Sequence, residues 1–324
     1  MPLVSVIIPA FNAERTILST VHSIQQQTIS DFELVVINDG STDKTLEFLD
    51  SIDDSRLKVF SYPNGGLPTA RNRGISKATG EFITFIDADD QWTPDKLASQ
   101  LAALEQHPEA GVAYSWTTYI DENDQFLHTG DPLVYEGNVY PKLLIRNFIS
   151  NGSNMLIRRQ LVEEVGEFDP TLKSAEDWDY YIRLAAISHF RVIPKYQILY
   201  RRSSHSMTSK VDVMEKYLLA VIHKSFQSAP AELQFLKNQS LAVNYRFLTH
   251  LCMTHSPDSD DLKQASSKLY KAVLLYPKLL LDRDLQGLAL KIGLKRLFPG
   301  VNFKSLVDKL AWRKQVNCNP PHAK

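Results

Sequence analysis

Two carboxylates spaced Asp-x-Asp follow a short apolar segment of the sequence. The segment, residues 81–86, is rich in β-branched and aromatic residues, and Asp87 and Asp89 come directly after it. An apolar run of this length is typical of a buried strand in a parallel sheet. Ligands bind beyond the carboxyl ends of such strands, and carboxylates there suit a hard divalent cation that holds a diphosphate. The alternative is an ordinary acidic turn, because Asp is common in turns.

The elements that must position these carboxylates follow an alternating pattern in the first half of the chain. Runs of β-branched and apolar residues at 4–8, 33–37 and 57–61 predict three further strands. Helical spacing of Ile17, Leu18, Val21 and Ile24 predicts a helix after the first strand, with Asn12 as its cap. Strands that are joined by helical crossovers form a parallel sheet.

Two further helix boundaries are suggested by capping residues. A helix over residues 69–78 is expected to end at Gly80 in the left-handed conformation that glycine favours. Thr93 and Pro94 together are typical of the start of the next helix.

All four predicted strands end in polar or turn residues. These residues are Asn12, Asp39, Asn64 and Asp87. In a parallel sheet they lie along one edge, and such an alignment is hard to explain by packing alone. The pattern therefore predicts a ligand site at that edge.

Composition excludes some classes of protein. The 324 residues suffice for one large or two smaller domains, and a formal net charge of −1 gives no reason to expect nucleic acid as a partner. Two cysteines are too few for a disulfide framework. The amino terminus lacks the basic region of a signal peptide, and no apolar run is long enough to cross a bilayer. We expect a reduced, cytoplasmic protein.

The last third of the chain reads as helices only. We expect a helical extension over residues 210–324 after a domain of residues 1–209. Residues 283–314 carry eight Lys or Arg against two Asp on apolar helices. Such a basic amphipathic segment fits peripheral contact with the inner face of a membrane. A helical cap packed on the first domain, with a solvated basic face, is the alternative.

Five motifs together resemble family 2 of the inverting glycosyltransferases, in the order and approximate spacing of that family. They are residues 6–12 (VIIPAFN), 35–43 (VVINDGSTD), 64–72 (NGGLPTARN), 86–90 (IDADD) and 176–179 (EDWD). Each motif is weak alone, but the ordered set is specific. The resemblance implies a GT-A (Rossmann-like) α/β fold, with a mixed, mainly parallel sheet and flanking helices. It also implies a nucleotide-sugar donor, which we expect to be a UDP-sugar, and a divalent Mg²⁺ or Mn²⁺ ion.

The resemblance also assigns nucleotide contacts to this sequence. The resemblance implies that Asp39 accepts a hydrogen bond from uracil, that Asp87 binds the ribose and that Asp89 binds the metal. Arg71 would hold a phosphate or the edge of the base. Phe11 could hold the flat base or simply pack in the core. The full set implied for the nucleotide is Pro9, Ala10, Phe11, Asn12, Glu14, Asp39, Arg71, Asp87 and Ala88.

Asp177 resembles the base of the family, with Glu176 orienting it. An acceptor hydroxyl must lose its proton as it attacks the anomeric carbon, which requires such a base. The alternative is that these carboxylates only favour the positive end of a helix. His205 is a candidate metal ligand, but it is displaced by two positions from the place where relatives carry a histidine. The residues expected to contact acceptor or sugar are Trp178, as an apolar platform, and Asn151, Gly152 and Ser153.

Two other functions stay open at this stage. A nucleotidyltransferase would also use a sheet, carboxylates and a metal, but it normally has a Gly-rich basic loop where this chain has Pro9 to Asn12. A non-catalytic nucleotide-sugar-binding protein would have no reason to keep Asp89 together with Glu176 and Asp177. We therefore predict transfer of a sugar to a hydroxyl of a saccharide, lipid-linked or protein-linked glycan acceptor.

Overall fold

The computed structural model describes residues 2–202, 211–255 and 259–298. Its strands form one mixed sheet of nine strands in the order β3-β2-β1-β4-β8-β6-β9-β5, with β7 paired to β6. The strands are β1 Val4–Ala10, β2 Phe32–Asn38, β3 Leu57–Ser61, β4 Phe82–Phe85, β5 Gln91–Trp92, β6 Ala110–Ile120, β7 Phe126–Thr129, β8 Leu156–Arg158 and β9 His189–Arg201.

The helices lie between and after these strands. They are α1 Ile17–Gln25, α2 Thr45–Asp50, α3 Leu67–Lys77, α4 Lys96–Gln106, α5 Tyr140–Ile145, α6 Arg159–Val165, α7 Glu176–Ile187, α8 Val211–Ser228, α9 Lys237–His255, α10 Ser259–Leu275 and α11 Arg283–Leu297, with 3-10 helices at Ala231–Leu236 and Pro277–Leu281.

The first four predicted strands are confirmed, and they pair in parallel as β3-β2-β1-β4. Every residue of β1, β2 and β4 is buried, because helices cover both faces of a parallel sheet. The parallel registers bring the carboxyl ends of the four strands to one edge, where the polar residues of the sequence pattern lie. Beyond β4 the sheet becomes mixed, since β8 pairs antiparallel with both β4 and β6.

The predicted cap of the first helix is wrong. The N-cap of α1 is Thr16, and the side-chain oxygen of Asn12 instead accepts a hydrogen bond from the Thr42 backbone N–H at 2.8 Å. Asn12 has a left-handed φ of 50°, which lets the chain turn toward the loop after β2. Of the predicted apolar face, only Leu18 is exposed.

Two other predicted helix boundaries also differ. Helix α3 ends at Lys77, and Ala78 is extended, so Gly80 is not a left-handed cap. A Cβ atom at Gly80 would lie 2.6 Å from the Ser5 backbone nitrogen, so this glycine permits close approach to β1. Helix α4 begins at Lys96 with Asp95 as its N-cap, two residues later than Thr93 and Pro94 predict.

The chain divides into two compact units, Met1–Leu241 and Ala242–Lys324. The first contains the whole sheet, and the described part of the second is helical. The predicted division after residue 209 stays a prediction. No helix among the described residues is long and apolar enough to cross a bilayer. The part of the predicted helical extension beyond residue 298 lies outside the described residues.

Candidate active site

A buried arginine joins two of the predicted site carboxylates. Arg71 in α3 is 1% exposed; its Nη2 donates to Asp87 Oδ1 and its Nη1 to Glu176 Oε1, both at 2.7 Å. Burial alone would lower the pKa of Arg71, but the two carboxylates raise it overall. The guanidinium therefore stays charged and ties the end of β4 to the start of α7.

The surroundings of Arg71 leave it little freedom. The Phe168 ring lies 5.4 Å from the guanidinium carbon and stacks on Tyr180 with ring centroids 3.9 Å apart. A Cβ atom at Gly152 would collide with Arg71 Nη2. Arg71 Nε is buried without a hydrogen-bond partner. The predicted contact of Arg71 with a phosphate or base stays a prediction, because both terminal nitrogens here bind carboxylates.

Asp177 lies in the first turn of α7, next to this pair. Its Oδ1 accepts the Trp178 backbone N–H at 2.7 Å, and its Oδ2 accepts from Asn147 Nδ2 at 3.3 Å. Burial raises the pKa of Asp177 to about 7, and the adjacent charge of Glu176 contributes to the rise. A carboxylate with a pKa near neutrality can accept a proton at physiological pH, as a general base must.

A second cluster of carboxylates follows β4. Burial and the charge of Asp87 raise the pKa of Asp89 to about 6. Asp90 is fully buried; it accepts from the Ser153 hydroxyl and from the Arg201 backbone N–H at 2.9 Å. Burial, and then the charges of Asp89 and Asp87, hold the pKa of Asp90 well above its usual range. The crowding of these three carboxyl groups therefore opposes their simultaneous ionisation.

Asp39 organises the loop before α3. Its carboxylate accepts the backbone N–H groups of Gly65 and Gly66 at 2.8 to 3.1 Å and Arg73 Nη1 at 2.7 Å. The carboxylate is buried and paired, so its first role in this structure is to fix the Gly65–Gly66 turn. Acceptance of a uracil N–H by Asp39 stays a prediction.

The loop after β1 forms one wall of the same edge. Pro9 and Ala10 are buried at the end of β1, while the Phe11 ring is 52% exposed. Core packing of Phe11 is therefore wrong, and its ring is open to a ligand. Glu14 accepts the Lys44 backbone N–H at 3.0 Å, which joins this loop to the loop after β2. Ala88, beside Asp87, accepts at its carbonyl from Thr16 and Thr20 of the α1 end.

The residues predicted to contact acceptor or sugar are mostly internal. Trp178 is buried, and its indole N–H donates to the Leu143 carbonyl at 2.8 Å, so it presents no exposed platform. Asn151 donates to Thr117 Oγ1 at 2.9 Å, and the Ser153 hydroxyl accepts the Asp87 backbone N–H at 2.9 Å. Asn151, Gly152 and Ser153 therefore lie on the interior side of the loop that carries the carboxylates. His205 lies outside the described residues.

Three contacts of the site were not predicted from the sequence. Arg73 binds Asp39, Asn147 binds Asp177, and Arg201 binds the Asp89 carbonyl through its Nε at 2.8 Å. Arg73 follows Arg71 by two positions, and Arg201 belongs to the pair Arg201-Arg202 after a long strand. Asn147 had no distinguishing signal, because an isolated loop asparagine is common in turns.

Comparison with known proteins decides the family. The profile described as "Glycosyltransferase like family 2" matches residues 5–251. The chain belongs to glycosyltransferase-like family 2. The resemblance of the five motifs is thereby confirmed.

Relatives within the family differ in length. Over 193 residues the chain is 32% identical to the "Putative teichuronic acid biosynthesis glycosyltransferase TuaG" of Bacillus subtilis, covering 56% of this chain and 72% of TuaG. Over 234 residues it is 30% identical to chondroitin synthase of Pasteurella multocida, covering 69% of this chain but 23% of the relative. The match to an uncharacterized glycosyltransferase of Rickettsia bellii, 38% identical over 44% of this chain, covers 20% of that protein.

Two solved structures share the fold of this family member. Staphylococcus aureus TarS 1–349 in complex with UDP superposes with a TM-score of 0.60 at 23% identity, over 85% of this chain and 81% of TarS. The mannosyltransferase PcManGT of Pyrobaculum calidifontis, in complex with GDP-Man and Mn²⁺, gives 0.58 at 20% identity, over 93% and 88%. The predicted GT-A fold is confirmed.

Proposed function

We propose that this chain transfers a sugar from a nucleotide-diphosphate sugar to an acceptor hydroxyl with inversion at the anomeric carbon. The observation that carries the proposal is the Arg71 bridge. It joins Asp87, at the strand edge where a donor would bind, to Glu176, next to the carboxylate of Asp177. The bridge thus holds a donor-side group and a candidate base in one fixed unit, as a single displacement requires.

Asp177 is the proposed general base. As the acceptor oxygen forms its bond to the anomeric carbon, its proton passes to the Asp177 carboxylate. The bond from that carbon to the diphosphate breaks at the same time, and the leaving diphosphate takes the electron pair. Attack from the face opposite to the leaving group inverts the anomeric centre. The pKa of about 7 keeps much of Asp177 ionised at neutral pH and gives its carboxylate useful basicity.

Asp89, with Asp87 beside it, is the proposed holder of Mg²⁺ or Mn²⁺. Burial and the charge of Asp87 raise the pKa of Asp89 to about 6, and a cation would favour the ionised form of both carboxylates. The described residues contain no cluster of three or more metal-ligating side chains. This fits Mg²⁺, which commonly takes one or two carboxylates and completes its shell with substrate phosphates and waters. When bound, the ion supplies charge neutralisation for the departing diphosphate.

We propose UDP as the nucleotide of the donor. The fold is similar to that of TarS in its complex with UDP. Asp39 stands at the carboxyl end of β2, and the exposed Phe11 ring stands at the neighbouring end of β1. An aromatic face and a fixed carboxylate are suited to a flat pyrimidine with a ring N–H.

The proposed acceptor is a growing glycan of a polysaccharide or cell-envelope polymer. TuaG is named for teichuronic acid biosynthesis, and chondroitin synthase is named for a polysaccharide. Sugar hydroxyls are the acceptor groups in such polymers, and Asp177 provides the base that they need.

A panel of nucleotide sugars tests the proposal. We expect metal-dependent release of UDP from one UDP-sugar by the wild type, and little release by Asp177→Asn. Leu127→Ala, an exposed residue of β7, serves as a matched control with wild-type release. A nucleotidyltransferase would instead consume nucleoside triphosphate and sugar phosphate and release pyrophosphate. A binding protein would release neither product, and either result would reject the proposal.

We further propose that α11 touches an anionic membrane surface. Leu285, Leu288 and Ile292 form the buried face of this helix. Leu290 and Leu297 are 64% and 74% exposed, seven positions apart, and so lie on a second face. The helix therefore presents apolar side chains on two faces, of which only one is buried.

The charge of α11 favours a lipid surface as the partner of the exposed face. Four of its residues are Lys or Arg, against a single Asp. Cations that flank exposed leucines match anionic headgroups above an acyl layer. A cap that packs against the rest of the protein is the competing arrangement.

A further inference from the structure

The β6–β7 hairpin carries a row of aromatic side chains. Tyr119 pairs across the strands with His128 and with Tyr200, so the three rings lie on the same face of the sheet. The Tyr119 and His128 rings stack with centroids 4.4 Å apart, and Tyr119 meets Tyr200 edge-on at 5.6 Å. Phe126 lies beyond a shift in the β6–β7 register, where it pairs with Ile120, and it is therefore not assigned to this face. We call Tyr119, His128 and Tyr200 the aromatic face.

Hydrogen bonds connect the aromatic face to the proposed base. Burial raises the pKa of Tyr119, and the nearby Ser150 side chain opposes that rise. The Ser150 backbone N–H donates to Asn147 Oδ1, and Asn147 Nδ2 donates to Asp177 Oδ2. Thr117, on the same face of β6 as Tyr119, accepts from Asn151. Ser150 and Asn147 therefore connect the aromatic face to the Asp177 carboxylate.

The same face also lies close to the carboxylates after β4. Burial raises the pKa of Tyr200 well above its usual range, and the charges of Asp90, Asp89 and Asp87 add to the rise. These charges act on Tyr200 because its strand continues into Arg201, whose backbone N–H donates to Asp90. The row of rings is thus connected to Asp177 through Asn147 and to the Asp90 loop through Arg201.

Hydrogen bonds hold the β6–β7 hairpin against the loop that contains Asp89. Arg201 donates to the carbonyls of Asp89 and Asp121 and to Asp124 Oδ1, at 2.7 to 3.1 Å. Gln91 Nε2 donates to the same oxygen of Asp124 at 2.7 Å. Because one arginine holds both the hairpin turn and the Asp89 loop, the rings of the aromatic face are pre-positioned relative to the carboxylates. Pre-positioned contacts lower the entropic cost of binding.

We propose that the aromatic face binds a sugar ring of the acceptor and orients its hydroxyl toward Asp177. The inference rests on the proposed function, which requires an acceptor beside that carboxylate. Sugar rings present one face of C–H groups and a rim of hydroxyls. Aromatic rings with polar edges, such as Tyr and His, match both parts.

Saturation-transfer NMR on the full chain with UDP and Mg²⁺ tests this subsite. The probes are the methyl glycosides of glucose, galactose, mannose and N-acetylglucosamine. We expect at least one probe to bind, and Tyr119→Leu or His128→Ala to weaken that binding about tenfold through the loss of aromatic contact. Leu127→Ala is the matched control; it removes an exposed neighbour that is not part of the aromatic face and should leave probe binding unchanged.

Two results would overturn the inference. One is that no probe binds to the wild type while UDP does. The other is that binding survives both aromatic substitutions, or falls equally in Leu127→Ala. UDP titration of each variant separates this failure from failure of the proposed function. If UDP and every UDP-sugar fail to bind the wild type, the donor assignment itself is wrong.

Discussion

Replacement of Asp177 by Asn should increase stability at alkaline pH while abolishing transfer. The pKa of Asp177 in the folded protein is about 7 rather than the ordinary 3.8. The folded state therefore binds more protons than the unfolded state between about pH 4 and pH 7. By linkage, the free energy of unfolding falls as pH rises through this window and stays reduced above it. The Asn side chain does not ionise, so the variant does not lose this part of the free energy of unfolding as the pH rises.

The size of the effect can be worked out from the contacts of Asp177. Each pKa unit corresponds to about 1.4 kcal/mol, so the rise from 3.8 to about 7 sets a ceiling of about 4 kcal/mol. The new amide N–H₂ would face Asn147 Nδ2, which is also a donor. Asn147 cannot turn over freely, because its Oδ1 already accepts two backbone N–H groups. This mismatch costs about 1–3 kcal/mol, which leaves a net gain of roughly 2 kcal/mol at pH 8.5.

Glu176→Gln provides a contrast of opposite sign. Glu176 neutralises the buried Arg71 guanidinium, and removal of one partner of a buried pair costs about 3–5 kcal/mol. Urea denaturation at pH 5 and pH 8.5 measures both variants. We expect Asp177→Asn to gain stability over the wild type only at the higher pH, and Glu176→Gln to lose stability. Destabilisation of both variants at pH 8.5 would refute the account of Asp177 as a strained, buried carboxylate.

The same substitution tests catalysis. A general base contributes about 10²–10⁴-fold to the rate, so kcat of Asp177→Asn should fall by at least 100-fold with little change in UDP affinity. In the wild type, transfer should rise about tenfold per pH unit below about pH 7 and level off above it, because only ionised Asp177 accepts the proton. A variant that keeps more than about a tenth of the wild-type rate would move the role of base away from Asp177.

Three other predictions follow from the site and from α11. Asp89→Ala should abolish metal-dependent donor binding, and EDTA should stop the wild type; activity that persists in EDTA, measured as UDP release, contradicts the metal assignment. Asp39→Ala should narrow the preference for UDP over ADP and CDP. It should also lower the melting temperature, because two backbone N–H groups and Arg73 lose their acceptor. Equal affinity of the wild type for the three nucleotides, measured by calorimetry, rejects the uracil assignment. The double variant Leu290→Gln, Leu297→Gln should reduce flotation of the protein with phosphatidylglycerol vesicles. Its melting temperature should be unchanged, since both side chains are exposed. A lower melting temperature with unchanged flotation identifies a packed cap instead.

The parallel core was predictable because its signals are local. The β-branched runs and the polar residues after them lie within a few positions of one another, and strand burial follows directly from such runs. Helix boundaries were less predictable. Asn12 and Gly80 have the right residue types for caps, but contacts with Thr42 and Ser5 decided their conformations. These partners are distant in sequence, and local propensity carries no information about them.

In the candidate site too, some features follow from the sequence and others depend on the tertiary structure. The sequence alone determined the family motifs, the strand-end carboxylates and the presence of a candidate base at Asp177. Only the tertiary structure decided that Arg71 pairs with Asp87 and with Glu176, which is 105 positions away. It also decided that Trp178 lies in the interior and that Tyr119, His128 and Tyr200 share one face. Burial and nearby charge set the pKa of Asp177, and both depend on which distant segments the fold brings together.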